Sequence, residues 1–151
     1  MKAIILAAGK GTRLRPLTYG IPKPLLPVKG RPMIDWVIQS VVSAPVDEVI
    51  VAVSGTVGND ALDRVLSHIH GICIDAYLKN SNYNFGIKTI PTPQRETAGD
   101  LRYVLEELGI KDGPVLVAYG DNLTSFDVAQ FVKYHNLCRK ELGSSATVVL
   151  F

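Results

Sequence analysis

The chain has 151 residues, a formal net charge of +2, 47% hydrophobic residues and 20% charged residues. This is one domain's length, enough to bury roughly 68–70% of the unfolded surface, and the composition excludes disordered, fibrous and disulfide-built classes. No apolar run is long enough for a signal peptide or a membrane span. The near-neutral charge disfavours nucleic acid as a partner, and Cys73 and Cys138 stand too far apart for a metal or redox motif, which points to a reducing, cytoplasmic setting.

Apolar runs alternate with helical patterns, the signature of a mostly parallel sheet covered by helices. In chain order, a strand is expected at Lys2–Ala7, a helix at Met33–Ser43 and a strand at Glu48–Val53. A helix at Asn59–His68 and a strand at Ile72–Tyr77 follow, then a short edge strand at Phe85–Ile90 that Pro91 and Pro93 stop. A helix at Thr97–Leu108 ends at Gly109, a strand fills Pro114–Ala118, and a helix at Phe126–Cys138 is capped by Ser125 or Thr124. A last strand is expected at Ala146–Phe151. Trp36 reads as helix core, Asp35 as an acid in a helix's first turn, and His68, His70 and His135 as surface residues.

The first strand runs straight into Gly9-Lys10-Gly11-Thr12-Arg13. Glycine lets a backbone adopt φ > 0 and approach a ligand closely, and successive N–H groups in such a turn form an anion-binding concavity. Arg13 adds a planar donor fork suited to phosphate oxygens. Residues 1–34 hold seven basic residues (Lys2, Lys10, Arg13, Arg15, Lys23, Lys29, Arg31) and no acidic one. Positive charge is thus concentrated at a strand end, where open α/β sheets bind ligands. The loop is neither a Walker loop, since Thr12-Arg13 follows Gly11, nor a dinucleotide fingerprint, since Leu14 replaces its third glycine. Further on, Lys23 stands between Pro22 and Pro24. Proline fixes its own φ and pushes the residue before it toward an extended conformation, so Lys23 is expected to project from a stiff extended rail.

A second constellation is Val115-Leu116-Val117-Ala118-Tyr119-Gly120-Asp121. In a parallel sheet Asp121 shares the rim of the Gly9–Arg13 loop, where it would serve either as a carboxylate for Mg²⁺ or as a turn acid capping the next helix.

Leu6 to Thr18, Pro22-Lys23-Pro24-Leu25-Leu26-Pro27-Val28 and Gly30-Arg31-Pro32-Met33-Ile34 together resemble the sugar-1-phosphate nucleotidylyltransferases, or nucleoside-diphosphate-sugar pyrophosphorylases. The resemblance implies a Rossmann-like three-layer α/β sandwich of the nucleotide-diphospho-sugar transferase type. It covers nearly all of residues 1–151 but only the nucleotide-binding part of the family architecture, so the chain reads as truncated, with the sugar-binding part absent. A homo-oligomer or a partner chain would then complete the sheet. The implied reaction joins a nucleoside triphosphate and a sugar 1-phosphate to give an NDP-sugar and pyrophosphate, with Mg²⁺ as cofactor.

By the same resemblance Arg13 and Lys23 are the catalytic cations and Asp121 is the metal ligand. Leu6, Ala7, Ala8, Gly9, Gly11, Thr12, Gln94, Thr97 and Gly120 bind the nucleotide. Thr97-Ala98-Gly99 matches a family segment that contacts the base, with Glu96 standing where the family has glycine. Two alternatives share this sequence: a non-catalytic nucleotide-sensing domain of the same fold, and a nucleotidyltransferase acting on a phosphorylated acceptor that is not a sugar.

Overall fold

The computed structural model describes residues 1–56, 58, 60–94 and 96–149. Its centre is a four-stranded sheet made of β1 (Lys2–Leu6), β4 (Glu48–Ser54), β5 (Ile87–Thr92) and β6 (Val115–Tyr119), in the order β5-β4-β1-β6. Every pairing is parallel, with Lys2 opposite Glu48 on one side and Val115 on the other. Between β1 and β4 lie a short helix α1 (Leu17–Gly20), a ribbon of β2 (Pro27–Val28) and β3 (Arg31–Pro32), and helix α2 (Met33–Val41). The remaining helices are α3 (Ala61–Asn80), α4 (Glu96–Glu107) and α5 (Val128–Leu142).

Side chains alternate across a strand, so the inner strands β1 and β4 each feed two cores. Ala3, Ile5, Val49 and Val51 pack with Ile34 and Ile38 of α2, Ile74 of α3 and Val132 of α5. Ile4, Ile50 and Ala52 face the other way, onto Val104 of α4. Helices on both faces explain why the strands read as unbroken apolar runs rather than alternating ones. The expected three-layer α/β architecture is what forms.

Several expectations are corrected. Ile72–Tyr77 is no strand but the C-terminal half of α3. The alternation Ile72, Ile74, Ala76 resembles a strand, yet the buried residues Ser67, Gly71, Ile74 and Leu78 follow the helical period. Gly71 makes this packing possible, because a Cβ there would sit 2.0 Å from the Ser54 carbonyl oxygen. The expected start of this helix, Asn59, lies outside the described residues.

The edge strand Ile87–Thr92 runs through Pro91 rather than stopping at it. Only one side of an edge strand needs donors, so a proline is tolerated there. Residues 146–149 form no strand, and Thr147 Oγ1 instead lies 3.0 Å from His135 Nδ1 of α5; Leu150 and Phe151 lie outside the described residues. Helix α5 is capped by Asp127, whose carboxylate accepts from the Gln130 N–H at 3.0 Å, not by Ser125 or Thr124.

Gly109 does close α4's end, at φ +63°. Trp36 is half-buried rather than core; its Nε1 donates to the Val28 carbonyl and the Arg31 guanidinium lies over its ring. Asp35 sits in the first turn of α2 and accepts from Tyr77 and Tyr83 hydroxyls at 2.8 and 2.6 Å. Burial, with Asp35 alongside, pushes the Tyr83 phenol well above its ordinary value. His70 is buried, not at the surface. Both cysteines are free, and among the described residues no helix is long and apolar enough to cross a membrane.

Candidate active site

Because all four strands run the same way, their C-terminal ends share one rim. The rim opens into a cavity of about 700 Å³ lined by residues 6–14, Lys23, Pro24, Gly58, Gln94, Glu96, Thr97, Asp100, Tyr119 and Asp121. Of the residues expected to form the site, Leu6, Ala7, Ala8, Gly9, Gly11, Thr12, Arg13, Lys23, Gln94, Thr97 and Asp121 all line it. Gly120 stands just behind the wall and is closely packed, since a Cβ would lie 3.0 Å from the Ala7 Cβ.

The two loop glycines are there for different reasons. Gly11 has φ +61°, and a Cβ would fall 2.9 Å from the Thr18 Cγ2 and 3.3 Å from the Lys23 Cβ. Buried Thr18 also donates its hydroxyl to the Gly11 carbonyl at 2.9 Å, fixing the turn from beneath. Gly11 is therefore demanded by the fold. A Cβ on Gly9 would meet nothing within 4 Å, which leaves the open side of the loop as the place where a bare backbone is useful.

The cations divide into two sets. Asp63, in the first turn of α3, accepts from Lys10 Nζ at 2.9 Å and from the Arg15 guanidinium at 3.0 Å. The two bonds, the Lys10 bond foremost, hold the Asp63 carboxyl below its ordinary value, and Asp63 in turn raises Arg15. These two cations brace the loop against α3. Arg13, exposed on the cavity wall, has no ion pair among the described residues.

Lys23 opens a single 3-10 turn, Lys23–Leu25; the extended residue is Pro22, not Lys23 as expected. Pro24 is tolerated because a first-turn N–H has no acceptor within the turn, so its loss costs no bond there. The two prolines are buried and anchor Lys23, whose Nζ donates to the Asp121 carboxylate at 2.5 Å. Asp121 is thus engaged by a cation.

At the other end of the rim, Gln94 Nε2 donates to the Ala8 carbonyl at 2.7 Å and to Ser54 Oγ at 2.8 Å, while Ser54 Oγ donates to the same carbonyl at 2.8 Å. Its amide ties the ends of β1, β4 and β5 together. Reading from sequence missed this bracing role, and did not name Leu14, Pro24, Gly58, Asp100 or Tyr119 as wall residues.

Among the described residues no three His, Cys, Asp or Glu side chains converge as a metal cluster. Asp121, a carboxylate on the cavity wall now bound to Lys23, is of the donor type that Mg²⁺ takes, the ion accepting one or two carboxylates and drawing its other ligands from water and phosphate oxygens.

A parallel sheet with helices on both faces, carrying a glycine loop and paired charges at its C-terminal rim, is a Rossmann-like α/β domain. The nucleotidyl transferase family model matches residues 2–150, and the chain belongs to that family. It is 40% identical over 130 residues to the N-acetylmuramate alpha-1-phosphate uridylyltransferase of Neisseria meningitidis, covering 84% of this chain and 49% of that protein. It is 31% identical over 150 residues to the mannose-1-phosphate guanyltransferase of Hypocrea jecorina, covering 99% of this chain and 37% of the relative. A Bacillus anthracis structure assigned as a glucose-1-phosphate thymidylyltransferase superposes with a TM-score of 0.71 at 22% identity, over 91% of this chain and 50% of that one. The chain therefore spans half or less of the length of these relatives.

Proposed function

We propose that this chain forms the nucleotide-binding part of an enzyme that transfers a nucleotidyl group from a nucleoside triphosphate to a sugar 1-phosphate, releasing pyrophosphate. The observation that carries the reading is the placing of Arg13, Lys23 and Asp121 with the bare backbone of Gly9 around one cavity at the sheet rim. The relatives' names, which specify sugar 1-phosphates or their kin with different bases, support the acceptor class.

In this reading the loop N–H groups and Arg13 hold the triphosphate. Lys23 leaves Asp121 to neutralise the α-phosphate while an oxygen of the sugar phosphate attacks the α-phosphorus in line. No side chain is acylated or phosphorylated; the residues act by position and charge. Asp121 would hold Mg²⁺, which supplies charge neutralisation for the phosphates when bound.

The test is thermal melting of the chain with each common NTP, with and without Mg²⁺. A ligand at ~100 times its Kd stabilises by ~2.7 kcal/mol, and each kcal/mol is worth ~2–4 °C at this size. A shift of several degrees is expected, lost in Lys23→Ala and in Arg13→Ala. Absence of any shift in the unaltered chain would overturn the reading. Nucleotide binding without turnover when sugar 1-phosphates are added would favour a nucleotide-sensing domain instead.

A further inference from the structure

The β5 end of the cavity differs in charge from the rest of it. Arg13 and Lys23 belong to the β1 and β6 side, where Lys23 meets Asp121 at the end of β6. Among the described residues that line the cavity after β5 are Glu96, Thr97 and the buried Asp100. The strand order sets three inter-strand spacings between β5 and β6, about 14 Å at ~4.8 Å each. Carboxylates repel a polyphosphate and cations attract it. A nucleotide in this cavity therefore lies with its phosphates toward β1 and β6 and its uncharged ring toward β5.

At that end the Gln94 amide is already committed to Ala8 and Ser54, and Asp100 is buried. Glu96 is exposed on the wall, and its carboxylate has no hydrogen-bond or ion-pair partner among the described residues. Its backbone is held at φ +64°, in the left-handed region that disfavours any residue with a Cβ. Strain of this kind persists where surrounding structure imposes it, and it gathers at ligand sites.

We infer that Glu96 reads the base, and that its carboxylate selects guanine. The inference rests on the nucleotide-binding reading above. An ionised carboxylate only accepts hydrogen bonds, and does so through two oxygens side by side. Guanine alone among the common bases sets two adjacent donors, N1–H and the 2-amino group, on one edge. Uracil and thymine offer a single N–H between two carbonyls, whose lone pairs face the carboxylate. Adenine and cytosine place an acceptor ring nitrogen beside their amino group. Guanine gains two charge-assisted bonds, and the other bases meet an unpaired or repelling acceptor.

The experiment is calorimetric titration of the 151-residue chain, and of its Glu96→Gln and Glu96→Gly variants, with GTP, ITP, UTP, dTTP, CTP and ATP. The expected order is GTP tightest, with ITP, which keeps N1–H but lacks the 2-amino group, between GTP and the rest. Glu96→Gln is expected to weaken GTP by about tenfold or more while leaving UTP within about twofold, as for loss of a bidentate base contact. Glu96→Gly removes the carboxylate and relieves the backbone, so it separates lost recognition from lost folding and is expected to show the same loss of preference. A GTP preference that survives both variants, or a preference for another base in the unaltered chain, would overturn the base-reading role while leaving the phosphate site standing. Failure of every NTP to bind would overturn the nucleotide reading itself, and this inference with it.

Discussion

His70 is 6% exposed, and its Nε2 is buried without a hydrogen-bond partner among the described residues. Burial chiefly, with the Arg15 charge assisting, lowers its pKa from the usual 6.5, against an opposing hydrogen bond with the Thr18 backbone. Below pH 6.5 the unfolded chain takes up a proton that the folded chain resists, so stability falls as pH drops through that value and is regained above it. The limiting slope is about 1.4 kcal/mol per pH unit. Melting temperature is therefore expected to decline from pH 7 to pH 5, and His70→Gln to flatten that decline; an unchanged profile in the variant would place the pH dependence elsewhere. At this scale the sequence showed which residues could bind an anion but not what each one faces. The seven cations of residues 1–34 were visible, whereas the acids that engage Lys10 and Lys23 lie 53 and 98 residues away. Lys10 and Arg15, both bound to Asp63, proved to be braces, and Gln94 proved to hold the chain to itself. Burial of His70 had no local signal at all, since it follows from where α3 crosses the sheet rim.

Among the elements, those whose local pattern and tertiary role agree were readable, and β1, β4 and α2 lie where their apolar runs placed them. The second half of α3 was not, because Ile72-Cys73-Ile74-Asp75-Ala76 satisfies a two-residue period as well as a helical one. What decides it is the close approach of Gly71 to the Ser54 carbonyl, a contact between elements. Helix α5 poses the same problem at its start, where Thr124, Ser125 and Asp127 are all competent caps. Only Asp127 reaches the backbone N–H three residues on. Asp127→Ala is expected to cost about 1 kcal/mol and to lower the melting temperature by ~2–4 °C. Ser125→Ala and Thr124→Ala should leave it unchanged, and a drop in either would contradict the cap as described.

Across the whole molecule the fold class was legible, because alternating strands and helices leave few ways to bury both. Strand order was not, since it depends on pairings between segments far apart in the chain. Both cores draw on β1 and β4, so the sides that α2 and α4 cover cannot come apart independently. Unfolding in urea is expected to be a single transition, as in most domains of this size. Trp36, the one tryptophan, rests on Val28 and Arg31 outside the sheet. Its fluorescence and the far-ultraviolet dichroism should give one midpoint; two midpoints would mean that the ribbon and α2 open on their own.

The position of β1 has a consequence for how the chain is made. β1 is one of the two inner strands of the sheet, and the register partners Lys2 and Val115 stand 113 residues apart. At ~5–20 residues per second, β1 emerges roughly 6–23 s before its second neighbour exists. For that interval Ala3, Ile4 and Ile5, all fully buried in the finished fold, have an open flank. Until β6 arrives this apolar segment is paired on one side only, and the Lys23–Asp121 contact across the cavity cannot form.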